Sequence, residues 1–122
     1  MSEYNPLPLY YDAEATRRVQ YRMVDGQVIY DAMTFMRLDS GEESMSQFYI
    51  RNATMGVVED LLIQVESVNK PEVEVELASV GVVPRLAAQD MYRGSLRWRA
   101  GEGVKAGQCL ARVLISGMLT QE

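Results

Sequence analysis

The strongest constraint on this chain is a run in which glutamate alternates with an apolar residue, Glu72-Val-Glu-Val-Glu-Leu77. Successive side chains of a β-strand point to opposite faces. Val73, Val75 and Leu77 must therefore face a core, because the three glutamates require water. The run predicts a half-buried strand.

Similar alternation recurs along residues 31–119, with turn-forming residues between the runs. No segment between the runs has the length or pattern of a helix, so we predict an antiparallel β-sandwich rather than a parallel α/β sheet. The inward-facing residues are predicted to be Phe48, Ile50, Leu61, Ile63, Val65, Leu96, Trp98, Cys109, Ala111, Val113 and Ile115.

Residues 1–16 differ from the rest of the chain, because they form an arm that combines proline with tyrosine and leucine. Pro6 and Pro8 favour an extended backbone. This segment cannot bury its own apolar side chains, so it must lie against its own subunit, dock onto another molecule, or fray as chain ends commonly do. We predict docking, because Tyr and Leu are suited to anchoring an interface. The predicted partner-binding residues are Tyr4, Leu7, Leu9, Tyr10 and Tyr11.

Residues 12–24 allow two interpretations. Asp12 could cap a helix that ends before Gly26. Alternatively, the segment could contain a strand that turns at Asp25-Gly26 into Val28-Ile29-Tyr30. We favour the hairpin, because the segment contains residues suited to a pleated sheet. The predicted organisation is an N-terminal arm with a possible hairpin over residues 1–30, followed by a sandwich over residues 31–122.

Composition makes several functions improbable. The net charge is −5, which disfavours nucleic-acid binding. Histidine is absent, which removes the commonest general base and transition-metal ligand, and the single Cys109 cannot form an internal disulfide. No apolar run is long enough to span a bilayer, and the start lacks a secretion signal. We expect no enzymatic activity, cofactor, bound metal or membrane partner, and synthesis in the cytoplasm.

A second candidate interface lies on the Trp98 strand. Arg93, Arg97 and Arg99 are predicted to project from one side of it. They could bind carboxylates of another subunit in a bidentate manner, or pair with acidic side chains of a neighbouring strand in the same subunit. The chain contains ten arginines and two lysines, which favours an interface role because arginine is enriched in interfaces.

Three segments carry a family resemblance: Gln47-Phe-Tyr-Ile-Arg-Asn52, Val57-Val-Glu-Asp-Leu-Leu-Ile-Gln-Val65 and Gly107-Gln-Cys-Leu-Ala-Arg-Val-Leu-Ile-Ser-Gly117. Together they resemble immunoglobulin-like sandwich domains of the CARDB and related bacterial and phage types. The resemblance covers about residues 31–119 and implies an immunoglobulin-like antiparallel β-sandwich. With the N-terminal segment, the predicted fold is an all-β, immunoglobulin-like antiparallel β-sandwich that has an extended N-terminal arm. The cysteine pair of antibody domains is missing, so that branch is not implied.

The expected function follows from this resemblance and from the arm. We expect a non-enzymatic structural protein of a phage-type virion, such as a head decoration, neck or tail-surface component. Its expected partners are copies of itself, as a homo-oligomer, and another virion protein such as a capsid or tail protein. The alternative is a cell-surface or carbohydrate-recognition module using the loops at 52–56, 66–71 and 100–107, although these loops contain no aromatic residue. A small hydrolase is a third, minor possibility.

Overall fold

The computed structural model describes residues 5–68, 72–103 and 106–120. These residues form nine strands and no helix. The strands are β1 (Leu9–Tyr10), β2 (Arg22–Val24), β3 (Gln27–Asp39), β4 (Glu43–Arg51), β5 (Val57–Ser67), β6 (Val73–Leu77), β7 (Val82–Leu86), β8 (Met91–Ala100) and β9 (Ala106–Thr120).

The strands form two antiparallel sheets. A four-stranded sheet has the order β1-β4-β8-β6, and a five-stranded sheet has the order β2-β3-β9-β5-β7. Buried side chains from both sheets belong to one hydrophobic core. The predicted all-β antiparallel sandwich is therefore confirmed.

Consecutive strands from β3 to β9 alternate between the two sheets. The pairs are nested in sequence: β3 pairs with β9, β4 with β8 and β5 with β7, and β6 lies in the middle of this series. This winding is that of a jelly-roll sandwich. In an immunoglobulin constant domain, by contrast, some consecutive strands share a sheet.

The core follows the alternation of the sequence. The predicted inward residues of β4, β5, β8 and β9 are buried, with Val65 partly buried. Trp98 is fully buried, and its indole Nε1–H donates to Ser46 Oγ over 3.0 Å, so burial leaves this polar group satisfied. Gly94 makes room for the neighbouring ring, because a Cβ atom there would lie 2.1 Å from Phe48 Cζ.

The ambiguous segment contains a hairpin rather than a helix. Residues 13–14 form a turn, and β2 pairs with the start of β3. Asp25 and Gly26 between them both have positive φ, 48° and 81°, as a tight type I′ turn requires. The predicted boundary between residues 30 and 31 falls inside β3, so this segment is part of the sandwich.

Replacing Trp98 with Ala should lower the free energy of unfolding by about 3–5 kcal/mol, because it leaves a large cavity in the core. The matched control is Arg97→Ala on the same strand, where an exposed ion pair with Glu76 contributes about 1 kcal/mol or less. Urea denaturation measures both. A Trp98→Ala variant as stable as Arg97→Ala would contradict the core position of the indole.

Candidate functional site

The N-terminal arm lies in the core of its own subunit. Leu7, Leu9 and Tyr10 are 4%, 0% and 8% exposed, and both leucines belong to the main hydrophobic cluster. The expectation that these three side chains anchor another molecule is therefore corrected. Tyr4 lies outside the described residues.

Hydrogen bonds place the arm along β4 as an additional strand. Leu9 and Tyr10 form β1 opposite Ile50 and Tyr49. The arm continues beside β4 beyond this pair, because the N–H groups of Arg51 and Ala53 donate to the carbonyl oxygens of Pro8 and Pro6, each over 3.0 Å. Proline is compatible with this position, since only its carbonyl is used.

The arm also satisfies a polar group inside the core. The hydroxyl of Tyr30, a fully buried residue, accepts from Asn5 Nδ2 over 3.0 Å and donates to the Leu7 carbonyl oxygen. Burial raises the pKa of Tyr30 well above its ordinary value, so the hydroxyl keeps the proton that it donates. Without the arm this hydroxyl would lose both partners, which is costly for a buried group.

Leu9→Ala should therefore destabilise the subunit by about 2–5 kcal/mol. The control is Met55→Ala, because Met55 is 89% exposed in the loop after β4. Chemical denaturation at low protein concentration compares the two variants. If Leu9 instead anchored an interface with another molecule, Leu9→Ala would leave the isolated subunit as stable as the control. That outcome would contradict the burial of Leu9 in its own subunit.

Tyr11 ends the arm on the surface of the subunit. Its ring contacts Phe35 edge to face at 5.3 Å, and Phe35 contacts Trp98 at 5.3 Å. The Tyr11 hydroxyl accepts from the Thr34 N–H over 2.9 Å, and the Arg17 guanidinium lies 5.1 Å from the ring centre. Tyr11 is only partly buried, so part of it remains accessible.

The three predicted interface arginines lie on the outer face of the four-stranded sheet. Arg97 pairs with Glu76 at 3.0 Å, and Arg99 pairs with Glu43 at 3.7 Å. The sequence left open whether these arginines pair inside the subunit, and two of them do so. No carboxylate in the described ranges forms an ion pair with Arg93, which is exposed. Its role in partner binding stays a prediction.

Part of β4 has a free edge. The arm covers β4 only from Tyr49 onward, so no described strand lies beside residues 43–48 on that side. A cleft of about 610 Å³ opens here, lined by Tyr11 and the following turn together with Met45, Gln47 and Tyr49. Met45, on the outer side of β4, is 52% exposed.

An exposed apolar surface lies on the opposite side of the sandwich. We call it the apolar face; it comprises Leu62, Val82, Leu114 and Met118 on the outer side of the five-stranded sheet. Leu62 lies opposite Val82 and diagonal to Leu114. Leu62, Val82 and Met118 are 37%, 48% and 67% exposed.

A charged row borders the apolar face. Asp31 accepts from Arg22 over 2.6 Å and from Arg112 over 3.2 Å, and Arg112 also pairs with Glu66 at 3.3 Å. The hydrogen bond from Arg22 lowers the pKa of Asp31, which favours its charged form. An apolar centre beside a charged border is a common composition for a protein-binding surface.

Sequence reasoning missed the apolar face, although a signal was present. Leu62, Leu114 and Met118 occupy strand positions that alternation assigns to water, where an apolar side chain is unexpected. The pattern around Leu62 shows this directly, because its neighbours on the same side of the strand are Asp60 and Gln64.

Other candidate sites offer less. Asn52 is fully buried, and its amide donates to the Gly56 and Leu86 carbonyl oxygens, so it holds the 52–56 loop against β7. Within the described residues, no group of three or more His, Cys, Asp or Glu side chains could hold a metal ion. No helix among them is long and apolar enough to cross a membrane. No family model, curated protein or solved structure matches the chain.

Proposed function

We propose that this protein is a non-enzymatic structural component of a phage-type virion, such as a head decoration, neck or tail-surface protein. It associates with copies of itself and attaches to another virion protein, such as a capsid or tail protein. Attachment uses the outer faces of the sandwich, because the arm side chains Leu7, Leu9 and Tyr10 are buried within their own subunit.

The apolar face is the observation that carries this proposal. Contiguous exposed apolar side chains on a folded domain mark sites of protein interaction. Leu62, Val82 and Leu114 lie on three neighbouring strands that pair with one another, so their positions are fixed before a partner arrives. A rigid surface loses little conformational freedom on binding, which suits a protein that attaches permanently to a particle.

The architecture is compatible with this function. Viral capsid proteins are among those built on jelly-roll sandwiches, although lectins and cupins use the same winding, so the fold alone does not establish the function. Many copies on one particle would also allow each contact to be modest, because linked contacts reinforce one another.

The double variant Leu62→Glu and Val82→Glu should be incorporated into particles at least about tenfold less than the wild type, because two carboxylates would be desolvated at the contact. Tagged copies are expressed during particle production, and the tag is quantified in purified particles. Met55→Glu is the control, since it adds a carboxylate at an exposed apolar residue away from the apolar face.

Two results would contradict the proposal. One is the absence of wild-type protein from purified particles, and the other is incorporation of the double variant as efficiently as Met55→Glu. Specific binding to a glycan array, lost on mutation of the 52–56 loop, would favour the carbohydrate-recognition alternative instead.

A further inference from the structure

We propose that the free edge of β4 pairs with the same edge of a second copy of this chain, antiparallel and centred on Met45. This inference rests on the proposed function, for which it identifies the contact between copies. It concerns the four-stranded sheet, whereas attachment to the particle is assigned to the apolar face of the other sheet.

The backbone groups at this edge are available for pairing. The N–H groups of Arg51 and Ala53 point toward the arm, and backbone groups alternate in direction along a strand, so those of Glu43, Met45 and Gln47 point the same way. No described strand accepts or donates there. Such an edge is a template for adding another strand.

Two common protections of an edge are also missing from this part of β4, although Glu43 carries a charge and residues 11–14 line the cleft beside the edge. The pairing of β4 with β8 has no register shift from Glu43 to Arg51, so no bulge twists the edge away. Residues 43–48 contain neither proline nor lysine. The central side chain of the edge is the exposed Met45, which would be buried against its counterpart.

The length of the free edge selects the register. Centring the pair on Met45 places Glu43 of each copy opposite Gln47 of the other, and Ser44 opposite Ser46. The β4 strand of the second copy begins at its Glu43, which lies opposite Gln47 of the first copy. It therefore stops short of Tyr49, beside which Tyr10 of the arm already lies. A pairing centred nearer Tyr49 would collide with the arm.

Charge supports the same register. A pair centred on Glu43 would place two glutamates opposite each other, which is destabilising. Centred on Met45, each glutamate faces a neutral glutamine and keeps Arg99 as its neighbour on β8. Arg97 lies beside Met45 on β8 and remains paired with Glu76. In this register, therefore, no two like charges lie directly opposite each other on the paired β4 strands.

The contact is small, so we expect a reversible dimer with a Kd of about 1–100 μM, in the range of weak interfaces. Sedimentation velocity over a concentration series measures it. The decisive variant is Met45→Cys. Two Met45 positions in this register have Cα atoms about 5.5 Å apart, a spacing at which a disulfide forms.

The matched control is Gln47→Cys. Its two copies would lie roughly 14 Å apart along the strands and could not be joined. The native thiol does not interfere, because Cys109 is fully buried and burial raises its pKa. Under mild oxidation we expect a covalent dimer from Met45→Cys and none from Gln47→Cys.

Equal cross-linking of the two variants, or none from either while the wild type dimerises, would overturn the β4 contact. The copies would then associate elsewhere, and the proposed function would stand. A wild type that stays monomeric throughout the concentration series would overturn the inference together with the self-association in the proposed function, but not the attachment to a particle. Particle incorporation, which depends on the apolar face, would still test the proposed function separately.

Discussion

The docking of residues 5–10 along β4 is the interaction on which the available surfaces depend. It buries Leu7 and Leu9, provides both partners of the Tyr30 hydroxyl, and completes the four-stranded sheet at its edge. Because the arm leaves the sheet after Tyr10, it covers one half of the edge of β4 and exposes the other. The same contact therefore stabilises the subunit and defines where another strand can be added.

The two sides of the sandwich differ in chemistry because their strands differ in outward residues. On the outer side of the four-stranded sheet, Arg97 and Arg99 pair with Glu76 and Glu43 on the neighbouring strands. On the five-stranded sheet several outward positions are apolar and lie next to a charged row around Asp31. This difference is the basis for assigning the proposed self-association and the proposed attachment to another protein to different surfaces.

Alternation predicted much of the fold. Val73 and Trp98 face the core as expected, because a charged neighbour on each side fixes the inward face of a strand. The winding of the strands could not be predicted this way, since alternation does not tell which strands become neighbours. The position of the arm could not be predicted either, because Leu7 and Leu9 have the same chemistry whether they cover their own sheet or that of another molecule. The Tyr30 hydroxyl, whose hydrogen bonds hold the arm, is also far from it in sequence. The apolar face was readable in principle from Leu62 and Leu114.

Amide hydrogen exchange tests the position of the arm and the free edge together. At low protein concentration, the amides of Arg51 and Ala53 should exchange slowly, because they donate to arm carbonyls, while those of Met45 and Gln47 should exchange rapidly. At high concentration the Met45 and Gln47 amides should become protected as copies pair. Rapid exchange of Arg51 and Ala53 at every concentration, equal to that of Met45 and Gln47, would contradict the account.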